Sequence, residues 1–269
     1  MRIIDFHTHA FPDSLASRAM QNLMAAYKTP AYTDGTIGGL RAHMKTIGVT
    51  ASVVLPVATK PEQVTHINDW AASVNSRDII CFGAMHPDFE DIPGEVERLL
   101  GLGVKGIKIQ PDWQQRPVDD PGMMKIYEAI EGRMLLMLHV GEEIEPFDYV
   151  MSTPAGVRRV HNAFPNLTII AAHMGGFRMW DEVRQEILGA AIYFDTSFCP
   201  PSDLPDAEFR EMMLSHGTDR ILFASDSPFR DAGEDILRLR NMNLDDKALE
   251  DIFYRNAYNL LKLTDFPQN

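Results

Sequence analysis

The chemistry in this 269-residue chain is first legible at His7-Thr8-His9, which closes the apolar segment Arg2–Phe6. In an extended chain, residues two apart point to the same side, so both imidazoles can reach one ion. Imidazole nitrogen suits zinc, iron, manganese-like and nickel sites, with zinc the first choice. The same pair also occurs where one histidine caps a turn and the other packs.

Three further positions repeat the pattern. His139 ends the run Met134–Leu138 and His173 ends Ile169–Ala172. Asp226 follows Ile221–Ser225. A lone ligand-capable side chain at the end of an apolar run is often a satisfied buried residue or a loop start. Four runs ending this way point instead to one shared site, provided their ends converge.

The elements that must position them read as alternating strands and helices. Strand candidates are Arg2–Phe6, Ala51–Pro56, Ile79–Met85, Val104–Gln110, Met134–His139, Thr168–His173, Ala191–Thr196 and Arg220–Ser225. Several are apolar without alternation, as in parallel strands covered on both faces. Helices fall between them. Pro93 opens one whose apolar face is Val96, Leu99 and Leu100, and Gly101 and Gly103 stop it. Leu249, Ile252, Phe253, Leu260 and Leu261 mark a C-terminal stripe behind Asp245 and Asp246. Eight strands with helical spacers predict an α/β fold, a single (β/α)8 TIM barrel over residues 1–269. Such a barrel gathers the strand ends on one rim and makes strands one and eight neighbours. The long connections 10–35 and 140–156 follow strands one and five, where barrels build their sites.

The order His-x-His, His, His, Asp on strands one, five, six and eight resembles the amidohydrolase superfamily. The wording is similar to its branch around α-amino-β-carboxymuconate-ε-semialdehyde decarboxylase. The similar motifs are Ile4–His9, Gly83 to His86-Pro87, Gly106-Ile107-Lys108-Ile109-Gln110-Pro111, Ala172–Gly176, Phe223–Asp226 and Tyr254–Ala257. The resemblance implies that His7, His9, His139 and Asp226 hold one divalent ion, with zinc expected. His173 would stand beside it as an acid or polarising group. In two-metal relatives His173 serves a second ion bridged by a carboxylated lysine or a glutamate on strand four. Lys108 lies on that strand, and relatives carry His where Gln110 stands, a departure that favours one ion. Lys108 is read either as an inward lysine paired with a carboxylate or as part of the chemistry.

Such an ion with an open position lowers the pKa of its water from 15.7 to about 7. The expected enzyme is a hydrolase of a small molecule, with Asp226 as base and His173 as acid or polarising group. Non-oxidative decarboxylation of an unsaturated or aromatic acid is the alternative. A metal-free lactonase or a non-catalytic binding barrel stands behind both. Lys108, Gln110, His86 and Arg178 are candidate substrate contacts. His86 precedes Pro87 and equally suits a structural junction; Arg178 could grip a carboxylate. Phe11 and Tyr27 are candidates for a lid. Trp180 is read as covering a substrate ring or as opening a helix that packs outside the barrel. Glu142, Glu143 and Glu145 read first as a solvated acidic loop, with contact to substrate or a cationic partner as the alternative. His43, His66, His161 and His216 read as surface or packing residues, and the fifteen methionines as core filler.

Composition narrows the partners. A formal charge of −13 leaves no basic face for nucleic acid or an anionic membrane. No run is long and apolar enough to span a bilayer, and the N-terminus does not read as a signal peptide. Cys81 and Cys199 form no disulfide framework, so a cytoplasmic setting is expected. A small-molecule substrate follows, and a homodimer is implied by the resemblance alone.

Overall fold

A computed structural model describes residues 1–144 and 147–264. Its strands are β1 (Ile4–Thr8), β2 (Ala51–Val54), β3 (Ile79–Cys81), β4 (Gly83–Ala84), β5 (Gly106–Ile109), β6 (Leu135–Leu138), β7 (Thr168–Ala171), β8 (Tyr193–Asp195) and β9 (Ile221–Leu222). All neighbours pair parallel, in the orders β1-β2-β3 and β4 through β9. The predicted third strand is one barrel position in two pieces, parted at Phe82, whose N–H donates to Val54 O at 2.9 Å. β1 closes the ring against the segment after β9. Phe6 N donates to Phe223 O at 2.8 Å, Asp226 N to His7 O at 2.9 Å, and Thr8 bridges Ser227 in parallel. The eight predicted positions are all present; seven are shorter than their apolar runs, while β1 keeps the length of its run and lies two residues further on.

Alternation sorts the core. Ile4, Phe6, Ala51, Val53, Ile80, Phe82, Met137, Ile170, Ala172, Leu222 and Ala224 form one buried cluster inside the barrel. Their neighbours Ile107, Ile109, Leu136, Leu138, Ile169, Ala171 and Phe223 face outward to the helices. On β5 the inward place between Ile107 and Ile109 belongs to Lys108, which is 1 % exposed. The β1–β2 register shifts between Asp5 and Thr8. That irregularity lets Phe6 point into the lower layer while His7 and His9 both face the site above it.

Caps set the helix starts. Asp91 accepts from Gly94 N and begins Ile92–Gly101, whose buried face is Ile92, Glu95, Val96 and Leu99, with Leu100 half-buried. Asp245 caps the last helical segment, which runs Asp246–Glu250, then a π turn over Asp251–Arg255, then Asn256–Leu260. The π turn advances the helical phase. Asn256, Ala257 and Leu261 therefore face the barrel, and Leu260 is only half-buried.

The loops after β6 and β7 are locked together at Gly141, which has φ +93°. Phe177 N donates to Val140 O at 2.9 Å, Glu142 N to Phe177 O at 3.0 Å, and Gly141 N to Ser152 O at 2.8 Å. A Cβ on Gly141 would overlap the Phe177 backbone. Gly141→Ala is therefore expected to destabilise the protein by at least about 3 kcal/mol, read by thermal or denaturant unfolding. A midpoint unchanged from wild type would contradict this account of the loop.

Candidate active site

Five predicted residues meet on one rim. His7 Nε2 and His9 Nε2 approach the same Asp226 oxygen at 3.7 and 3.1 Å. The His7 and His173 rings lie 5.3 Å apart, and His173 Nε2 meets His139 Nδ1 at 3.1 Å. The backbone is bent to make this possible: His173 and Asp226 have φ +58° and +69°. Such conformations are uncommon outside glycine, though Asp and His adopt them more readily than most.

Behind each imidazole stands an acceptor that fixes its proton. His7 Nδ1 donates to Asp195 Oδ2 at 2.8 Å, and His9 Nδ1 to Leu55 O at 2.9 Å. Both Nε2 atoms are left as lone pairs aimed at a carboxylate oxygen. Acceptors facing acceptors require a cation between them, either a proton or a metal. A donor atom each from His7, His9 and Asp226 lies within 4.8 Å of the others, close enough to share one ion. The donor set therefore fits a divalent metal on its own chemistry. His139 is not in that tight trio; it stands one ring away, beside His173.

The titration behaviour agrees. Burial, with Lys108 nearby, holds the His7 imidazole well below its ordinary value. His139 is held down by burial and by His173. Burial also lowers His173. Neutral imidazoles are the form that binds metal. Burial opposes ionisation of Asp226, but the close approach of His7 and His9 outweighs it, and the carboxyl stays below its usual range.

Two residues not foreseen complete the floor. Asp195, at the end of β8, is fully buried; its Oδ1 accepts from His173 N at 2.8 Å, Ser197 N at 3.0 Å and Ser197 Oγ at 2.6 Å. Ser197 Oγ in turn lies 3.1 Å from His7 Nδ1 and 2.9 Å from His173 Nδ1. Asp195 shows the same signature as Asp226, a carboxylate closing an apolar run.

Lys108 reaches the cluster without the carboxylate partner that one of its two readings gave it. Its Nζ is buried with no hydrogen-bond partner among the described residues. Burial lowers it to about 8 despite the opposing pull of Asp195, Asp226 and Glu143. Gln110 donates through Nε2 to Glu143 Oε1 at 2.5 Å. This corrects the reading of a solvated acidic loop: the Glu143 side chain is only 4 % exposed, and burial, with Asp112 beside it, raises it to about 8. Glu145 lies outside the described residues.

A cavity of about 570 Å³ opens above the cluster. His7, His9, His139, His173 and Asp226 line it, with Gln110 and Glu143 beside them and Tyr27, Trp70, Trp113, Phe177, Phe198 and Phe229 among its walls. Phe11 and Tyr27, the lid candidates, line it, and His66 joins the lining against its reading as surface or packing. His86 does not line it; its Nδ1 accepts from Asp88 N at 3.2 Å, the structural junction. Arg178 turns outward, pairs with Asp203 at 3.3 Å and lies over the Phe177 ring. Trp180 opens the helix Trp180–Glu186 and packs in the outer core, not on the cavity, while its Nε1 donates to His173 O at 3.1 Å.

No curated protein matches the chain in sequence. Solved structures match its fold throughout. 5-Carboxyvanillate decarboxylase from Sphingomonas paucimobilis is 17% identical with a TM-score of 0.73, over 98% of this chain and 99% of that one. The 5-carboxyvanillate decarboxylase of Novosphingobium aromaticivorans, solved with manganese and 4-hydroxy-3-methoxy-5-nitrobenzoic acid, is 19% identical with a TM-score of 0.75, over 97% and 96%. 2,6-Dihydroxybenzoate decarboxylase from Rhizobium is 17% identical with a TM-score of 0.72, over 97% and 99%. Together with the closed parallel barrel, these likenesses establish the TIM-barrel fold. The amidohydrolase family model matches residues 4–263, and the chain belongs to that family, an enzyme family.

Proposed function

We propose that the protein removes the carboxylate of an unsaturated or aromatic acid without oxidation, with one divalent ion held by His7, His9, His139 and Asp226. The observation that carries this reading is the aromatic cavity standing directly on the imidazole–carboxylate cluster. Planar rings stack on such walls. Low-dielectric surroundings also disfavour a localised carboxylate more than the transition state, in which the charge spreads into the unsaturated system as neutral carbon dioxide leaves. The decarboxylases of the same fold support the choice over the hydrolysis expected from the ligands alone. The ion, zinc by donor type and manganese by the example of one relative, supplies a positive charge that anchors the substrate carboxylate.

The chain's own groups do the rest. His173 stands neutral, and its Nδ1 donates to Ser197 O at 3.1 Å. In that state its Nε2 accepts a proton and does not give one, so the acid role first expected of it moves elsewhere. Glu143, held protonated at neutral pH on the cavity wall, is the group placed to protonate the carbon that loses carbon dioxide. Gln110 fixes its orientation. Lys108 adds a buried positive charge beneath the floor.

The test is a panel of aromatic and unsaturated acids beside lactones, esters and amides, run in D2O with metal-loaded protein. Carbon dioxide release with one deuterium at the vacated carbon is expected for at least one acid. Turnover of a lactone, ester or amide, with no carbon dioxide from any acid, would reject decarboxylation in favour of hydrolysis.

A further inference from the structure

His139 presents two different faces. Its Nδ1 meets His173 Nε2, while its Nε2 lies 3.4 Å from a Glu143 oxygen. Asp112 completes that second face: one donor atom each from Asp112, His139 and Glu143 lies within 4.8 Å of the others. Asp112 is fully buried. Its Oδ1 accepts from Met151 N at 2.8 Å, and its Oδ2 has no hydrogen-bond partner among the described residues. An unpaired buried carboxylate oxygen is unfavourable, and a second carboxyl beside it makes ionising both costlier still. A cation among the three removes both penalties. Donors about 2.0–2.2 Å from a common ion stand about 3–4 Å apart, a spacing this trio accommodates.

We propose that Asp112, Glu143 and Nε2 of His139 form a second, outer divalent-cation site, and that filling it inhibits the enzyme. A neutral imidazole has a single lone pair. Once Nε2 gives it to the outer cation, Nδ1 carries the proton and donates to His173. His139 is then lost to the inner ion. Excess metal thus switches the centre off by withdrawing a donor from it. The idea rests on the proposed inner ion held by His7, His9, His139 and Asp226, not on which reaction that ion serves.

The test counts ions. Chelator-stripped protein is dialysed against rising Mn²⁺, and bound manganese is measured by elemental analysis, with thermal unfolding as a check on folding. Two equivalents are expected in wild type, the second weaker, and one in Asp112→Asn, whose amide oxygen still accepts from Met151 N. Glu143→Gln is the companion variant should Asp112→Asn fail to fold. Wild-type turnover should fall several-fold as the second equivalent binds and stay level in Asp112→Asn. A single equivalent in wild type, or two in both variants, overturns the outer site and leaves the inner one standing. Absence of any bound ion overturns both.

Discussion

Asp226→Asn is expected to lower turnover by about 10³-fold or more while the protein stays folded. The carboxylate oxygen is the common target of His7 Nε2 and His9 Nε2. An amide oxygen in that place is a weaker, uncharged donor, and the flipped amide would present NH2 to both lone pairs. Loss of groups that merely orient a ligand weakens metal binding about 10–100-fold, so loss of the ligand charge should exceed that range. The fold should survive for two local reasons. The bond from residue 226 to His7 O is made by the backbone, and asparagine accepts the positive φ of this position as readily as aspartate. Steady-state rates, metal content and a thermal midpoint on the same preparation check the three claims. A variant with near wild-type rate and full metal content would remove Asp226 from the centre.

What could be read without coordinates follows from what periodicity records. A polar residue that breaks an apolar run stands out, which is why His7, His9, His139, His173 and Asp226 were legible, and their convergence followed from the barrel. Asp195 carried the same signal after Tyr193-Phe194, yet its work is done through Ser197 and two imidazoles more than twenty residues away. Nothing along the chain reports such contacts. Glu143 was misread because charge in a loop is usually solvated. Gln110 and Asp112, brought over from the end of β5, stand against it in the fold. Arg178 looked like a carboxylate grip until its own positive φ of +56° and the Asp203 carboxylate turned it outward. The parting of the third strand at Phe82 and the π turn near the C-terminus are tertiary adjustments that composition does not encode.

The second large effect belongs to Asp195, which touches no substrate and acts by positioning. Asp195→Asn preserves shape but reverses the proton arithmetic beneath two histidines. Both Asp195 oxygens now accept: Oδ2 from His7 Nδ1, Oδ1 from His173 N, Ser197 N and Ser197 Oγ. An amide can keep one of these faces and must present NH2 on the other. If the amide oxygen serves the three donors at Oδ1, its NH2 meets His7 Nδ1 and drives the proton to Nε2. The lone pair of His7 is then turned away from the ion. In a histidine backed by a carboxylate, this same swap costs on the order of 10⁴-fold in rate with little change in geometry. Turnover in Asp195→Asn should therefore fall by about 10³–10⁴-fold, with ion affinity down by at least about 10-fold. The distinguishing readout is His7 itself: ¹⁵N spectra of its ring should show the proton on Nδ1 in wild type and on Nε2 in the variant. An unchanged tautomer alongside lost activity would mean that Asp195 serves the fold and not the orientation of the centre.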